Sequence, residues 1–271
     1  MKNKVLKSIS ILLIALTMLL AASSLFACNE ASLPDDNDSR PQIVIGCDEY
    51  PPFFNMDEDG DFGGIDVEIA TKACERIGYK AVFKEIEWSD KDALLANGDI
   101  DCIWGCFTMT GREDRYDWVG PYMKSSHVVA VLASSNIYTL ADLAGKNIAV
   151  QATSKPDEIF SAHDDERIPD DIRLYCFADY DIIFSSLDNG YVDAIASHDT
   201  IMAAYMSGNE SKYRILEEPL LEVNLGAAFW KGKNEALVAL LNQSVQVLLN
   251  DGTIAQIVQK YGLDPQKVLA L

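Results

Sequence analysis

Cys102-Ile-Trp-Gly-Cys-Phe-Thr-Met-Thr-Gly-Arg-Glu-Asp-Arg115 is the stretch whose residue types come closest to a binding chemistry. Ile103, Trp104 and Phe107 read as a buried strand, which then opens into Thr108, Thr110, Gly111 and Arg112. In an open α/β sheet, ligands sit beyond the carboxyl ends of the strands. A guanidinium there grips a carboxylate through two parallel hydrogen bonds. An anion site fits these residues. So does an ordinary strand-to-helix turn, with Arg112 solvated and Thr110 capping a helix.

Other strand ends carry polar groups of the same kind. Asp48 and Tyr50 follow a strand at residues 42–47, and Trp88 opens a short helix after a strand at 80–85. Ile148-Ala-Val150 runs into Gln151-Ala-Thr-Ser-Lys-Pro156. Pro156 suits the first helical turn, with Ser154 or Lys155 as cap, so the N–H groups of Thr153 and Ser154 approach a helix N-terminus, a ready anion site. A strand at 192–196 delivers Ser197-His198-Asp199.

Metal chemistry is not expected. Cys102-x-x-x-Cys106 lacks a second pair or a nearby histidine, and residues four apart on a strand share one face as buried thiols. Asp57-Glu-Asp-Gly-Asp61 has no downstream glutamate at calcium-loop length and reads as a hairpin turn. Beyond Cys28, the five cysteines 47, 74, 102, 106 and 176 are odd in number and irregularly spaced, which argues against a dense disulfide framework.

The elements that must position these groups alternate strand and helix along the whole chain, which defines an α/β fold. Asp66 is the expected cap of a helix whose buried face is Val67, Ala70, Cys74 and Ile77, stopped at Gly78. Asp101 reads as a turn residue, and Thr139-Leu-Ala-Asp142 as a capping box. Further strands are expected at 128–132, 174–177 and 226–230, and further helices at 180–187, 234–249 and 253–261.

With 271 residues, 49% of them apolar, the chain can bury one or two substantial cores. Residues 1–28 read as a secretory signal: Lys2, Lys4 and Lys7 precede an apolar run at 9–20 that is too short to span a bilayer. The signal ends in Leu25-Phe-Ala-Cys28, which resembles a bacterial lipobox with Cys28 as the lipidated residue. Removing it takes away three lysines and no acids, leaving 42 acidic against 19 basic groups, about −23. Such a surface repels nucleic acid and anionic lipid. Residues 29–40 form an acidic tether.

Several motifs, taken in order, resemble those of the bacterial extracellular solute-binding proteins of the polar amino-acid uptake family. They are Gly46-Cys-Asp-Glu-Tyr-Pro-Pro-Phe53, Gly64-Ile-Asp-Val-Glu-Ile-Ala70, Asn97-Gly-Asp-Ile-Asp101, Thr108-Met-Thr-Gly-Arg112, Asp117-Trp-Val-Gly-Pro-Tyr122, Leu140-Ala-Asp-Leu-Ala-Gly-Lys146, Val192-Asp-Ala-Ile-Ala196 and Asn250-Asp-Gly-Thr253. The resemblance covers residues 43 to about 263. It implies a two-lobed type II periplasmic-binding fold: lobe 1 from 41–121 plus 226–271, lobe 2 from 127–220, and hinge crossings near 122–126 and 221–225.

The resemblance also implies roles. Asp48 would hold a ligand ammonium, Tyr50 and Trp88 would cover its side chain, and Cys106 would offer backbone. Thr108 would give hydroxyl and N–H, Arg112 would bind carboxylate, and Thr153 and Ser154 would add second-lobe amides. Thr108 to Arg112 is one residue shorter than the family pattern, which makes Arg115 the alternative clamp. His198 stands where the second-lobe acid is expected, with Asp199 one residue on, and Asp199 is the favoured contact. The implied protein is a lipid-anchored monomer on the outer face of the cell membrane. It passes an amino acid or similar small polar solute to the permease subunits of an ABC importer, with no cofactor, no metal and no catalysis. A dehydratase-like secreted enzyme and a ligand-sensing module are the rival classes. No nucleophile–base pair is evident for the first, and no second long apolar run for the second.

Overall fold

The computed structural model describes residues 39–270. The signal segment, Cys28 and most of the acidic tether lie outside the described residues. From residue 40 onward the chain is one unit.

Strand β1 (Gln42–Cys47) leads through a small hairpin, β2 (Asn55–Met56) and β3 (Phe62–Gly63), into helix α1 (Ile65–Arg76). The hairpin turn is held by Asp57, whose carboxylate accepts from the N–H groups of Asp59 and Asp61. Gly64, not Asp66, is the cap of α1. Its φ of +126° is open to glycine, and a Cβ there would fall 2.2 Å from the Phe53 carbonyl oxygen. Asp66 is instead buried in the first turn and accepts the Cys106 N–H at 2.6 Å. Asp101, as a turn residue does, accepts from Val44 N–H at 2.8 Å.

Next come β4 (Lys80–Glu85), a 3₁₀ turn at Trp88–Asp90, α2 (Lys91–Asn97), β5 (Cys102–Ile103) and β6 (Tyr116–Leu132). The strand expected at 128–132 is the end of this 17-residue element. A second block holds β7 (Asn147–Gln151), α3 (Lys155–Ala162), β8 (Arg173–Phe177), α4 (Tyr180–Asp188), β9 (Ala194–His198), α5 (Asp199–Met206) and β10 (Tyr213–Ile215). The chain returns through β11 (Leu221–Trp230) and ends in α6 (Glu235–Asn250), α7 (Thr253–Lys260) and α8 (Pro265–Val268).

Nine strands form one sheet, in the order β4-β1-β5-β11-β6-β9-β7-β8, with β10 on β6. Two parallel blocks, β4-β1-β5 and β9-β7-β8, stand on either side of the antiparallel pair β6–β11. Residues 122–126 and 221–225 face each other within that pair, through Met123↔Leu225, Ser125↔Val223 and Ser126↔Glu222. The register shifts between Leu225 and Ala227 because Gly226 lets the strands cross closely; a Cβ there would sit 3.0 Å from the Trp118 ring.

Helix α6 buries Val238, Leu241, Val245 and Leu248, a 3-4-3 spacing that makes one apolar stripe. Ser244 Oγ on the same face donates to the Ala73 carbonyl of α1. Leu241 is fully buried, so truncation to alanine costs about 2–5 kcal/mol.

Candidate functional site

The carboxyl ends of the two parallel blocks face each other across the β6–β11 pair. Asp48 and Tyr50 follow β1, Trp88 follows β4, and Cys106, Thr108 and Arg112 follow β5. From the other side come Gln151 and Ser154 at the end of β7, Tyr180 after β8, and Ser197 and His198 at the end of β9. Eight of the ten ligand residues expected from sequence line one internal space of about 20 Å³; Thr153 and Asp199 do not. A space of that size holds about one water molecule.

The two sides touch directly. Asp48 Oδ2 accepts from Gln151 Nε2 at 2.6 Å. Tyr50 Oη lies 2.8 Å from Ser197 Oγ, which donates to Tyr180 Oη at 3.0 Å. Buried Lys91, at the start of α2, donates to Thr153 Oγ1 and O at 2.7 and 3.2 Å. Arg112, 3% exposed, places Nε 3.1 Å and Nη2 2.8 Å from Glu158 Oε1 on α3, while its Nη1 lies 3.5 Å from the Thr108 carbonyl. Arg115 is half exposed and reaches the same Glu158 from outside. Glu158 does not line the internal space, so Arg112 is gripped from behind while it faces inward.

Histidines form the floor. The rings of His127 and His198 lie 3.9 Å apart at their centroids. Thr108 Oγ1 sits 2.9 Å from His127 Nε2 and 3.4 Å from His198 Nε2, and Ser125 Oγ sits 2.8 Å from His198 Nδ1. Ser125 donates its single hydroxyl proton to Asp199 Oδ1 at 2.9 Å. Ser125 Oγ thus lies between Asp199 and His198 Nδ1, and Thr108 Oγ1 lies between the two ring Nε2 atoms. His127 Nδ1 is buried with no hydrogen-bond partner among the described residues. Asp199 thus orients His198 through Ser125 instead of entering the internal space. It faces a separate groove with Thr110, Lys124 and Lys267.

Burial sets the protonation states. It pushes the Asp48 carboxyl up to about 7, against the opposing pull of the Gln151 hydrogen bond and the Lys91 charge. It pushes Lys91 down to about 8. His198 falls to about 3 through burial and then the Arg112 charge, and His127 falls well below its ordinary value through burial and then His198. Both histidines are neutral at pH 7. Burial raises Glu158, but Arg112 and Lys155 outweigh it and hold the carboxyl below its ordinary value.

Two loop residues adopt left-handed backbone: Cys106 (φ +48°) and Thr153 (φ +58°). Each conformation is fixed by an acid on its own N–H, Asp66 for Cys106 and Asp157 for Thr153. The Thr153 amide is therefore engaged inside its loop, as is that of Ser154, which lies 3.3 Å from the Gln151 carbonyl. Ser154 caps α3 with its side chain, as expected. Sequence reading did not single out Lys91, His127, Gln151, Glu158, Tyr180 or Ser197. Gln151 and Ser197 stand at strand ends, which was the available signal; the others carried none.

All five cysteines beyond Cys28 are free thiols, four of them buried. Among the described residues no group of three metal-ligating side chains forms, and no helix is long and apolar enough to cross a membrane.

A buried arginine and a buried acid on the wall of one internal space, lined besides by hydrogen-bonding groups, are suited to enclosing a small ligand of both charges. The fold and the site define a two-sided ligand-binding protein. The model of the bacterial extracellular solute-binding proteins, family 3, matches residues 43–264, and the chain belongs to that family. It is similar to a probable histidine-binding protein of Neisseria gonorrhoeae, 27% identical over 92% of this chain and 94% of the relative. It is also similar to an L-cystine-binding protein of Bacillus subtilis, 28% identical over 94% and 98% of the two chains. A crystal structure of a protein bound to L-arginine superimposes with a TM-score of 0.75, at 29% identity over 81% of this chain and 90% of that one.

Proposed function

We propose that this chain captures an amino acid, or a small polar solute with the same head group, and delivers it to the permease of an ABC importer. The observation that carries this reading is the placement of Arg112 and Asp48, both buried, on one internal space between two sets of strand ends. Relatives named for histidine and cystine support the ligand class.

In this reading the lobes are 41–121 plus 226–271 and 127–220, turning on 122–126 and 221–225. Arg112 binds the ligand carboxylate through its inward N–H groups, and Tyr50 and Trp88 cover the side chain. The internal space is too small for an amino acid, so the ligand enters an open form and replaces direct bonds such as Asp48–Gln151 and Tyr50–Ser197 with bonds of its own. The engaged Thr153 and Ser154 amides are left out of the clamp. No step of bond making or breaking is involved. Cys28 carries a lipid that holds the protein at the outer face of the membrane, and the protein acts as a monomer. The test is a binding screen of the chain from residue 29 onward against the L-amino acids.

A further inference from the structure

A second space of about 510 Å³ opens off the inner one, sharing Asp48, Trp88, Gln151 and Tyr180 with it. A head group held at Arg112 would send its side chain past these four residues into the larger space. Six carboxylates line that space, Asp48, Glu49, Glu85, Glu87, Asp179 and Asp181, and no lysine, arginine or histidine does. The whole chain has about two acids for each base, 42 to 22, so a wall with six acids and no base departs from the general acidity of the molecule.

The remaining wall suits a cation as well. Tyr180, Phe184 and Tyr205 contribute rings, whose faces attract positive charge, while the Trp88 ring already carries Lys91 Nζ 4.9 Å from its centroid. Trp88 is 8% exposed and lines both spaces, and its Nε1–H has no acceptor among the described residues. That donor calls for an oxygen of the ligand's head group at the junction, not for the cationic group. Asp48, at the junction, has only the neutral Gln151 amide on its carboxylate, and the nearby ammonium of Lys91 is turned to Trp88 O and Thr153. Lys91 acts on Asp48 through its charge and not through a hydrogen bond, so a positive group that reaches the carboxylate directly stabilises it further.

We infer that the outer space is a specificity subsite for a positively charged side chain, so that the ligand is a cationic amino acid. This rests on the amino-acid capture proposed above. In this arrangement Asp48 stands at the junction between head group and side chain, and the rim acids raise the local concentration of the cationic ligand before closure.

The test is calorimetric titration of the chain from residue 29 with L-arginine and with its neutral isostere L-citrulline, together with L-lysine and L-glutamine. L-arginine is expected to bind at least tenfold more tightly than L-citrulline. The double variant Glu85→Gln/Glu87→Gln, both exposed positions with ligand-free melting expected unchanged, should weaken L-arginine binding at least threefold and leave L-citrulline binding as it was. Equal or tighter binding of L-citrulline, or equal weakening of both by the double variant, overturns the inference. Binding of L-glutamine without L-arginine or L-lysine overturns it and leaves amino-acid capture standing; binding of no amino acid overturns both.

Discussion

Replacing Arg112 with alanine separates the two arginines that the sequence offers as a carboxylate clamp. Arg112 is almost fully buried and faces the internal space, whereas the Arg115 side chain is half exposed and meets Glu158, Asp92 and the Tyr116 ring. Two charge-assisted hydrogen bonds to a ligand carboxylate, at roughly 1.5 kcal/mol each, make the loss about 3 kcal/mol, on the order of a hundredfold in Kd. The Arg112–Glu158 pair is also lost, but Glu158 keeps Arg115 at 2.9 Å and Lys155 at 3.2 Å and is one-third exposed. The cost to folding, from the lost pair and the space that a buried side chain leaves, is about 1–3 kcal/mol. Arg115→Ala removes a solvent-screened pair and should change Kd less than about fivefold. Calorimetric titration of both variants, with urea unfolding to separate stability from binding, reads the two effects. A large loss for Arg115→Ala with a small one for Arg112→Ala would refute the assignment.

Two further predictions concern protonation and anchoring. Burial lifts Asp66 to about 7, with the Cys106 N–H hydrogen bond opposing it, so the folded state holds a proton that the unfolded chain releases near its ordinary 3.8. Stability from this group is complete below pH 4 and declines as pH rises toward 7. Asp66→Asn should therefore gain on the parent with rising pH, by up to about 4 kcal/mol between pH 4 and 7 in urea unfolding; a constant difference would refute the buried, protonated acid. Cys28→Ala should leave an uncleaved precursor and move the protein out of the detergent phase on phase partition, and unchanged partitioning would refute lipid attachment.

Much of the fold was legible because strand and helix periods alternate cleanly and the caps are local. Ser154 and Thr139 both act as their neighbours in sequence require. Local chemistry misjudged Asp66, because its partner, the Cys106 N–H, lies 40 residues away and only the fold brings them together. Strand β6 was read as its final segment because Gly120-Pro121 punctuates the sequence, yet the pairing with β11 carries the strand through. The site was legible where a strand end delivers a polar group into the space, as at Asp48 and His198. It was not where a residue acts from elsewhere in the chain. Nothing in the sequence marks Lys91, which meets Thr153 only in the fold, or Glu158, which meets Arg112 there. Asp199 reads as a ligand contact until the direction of α5 turns it to Ser125.

The most direct measurement is a thermal-shift screen of residues 29–271 against the L-amino acids, run in parallel on Arg112→Ala. Saturation at about 100 times Kd adds roughly 2.7 kcal/mol of stability. For a chain of this size that raises Tm by roughly 5–10 °C. Amino-acid capture predicts such a rise for at least one L-amino acid in the parent and its loss in Arg112→Ala at the same concentration. A parent that no amino acid stabilises, or a variant that responds as fully as the parent, would contradict it.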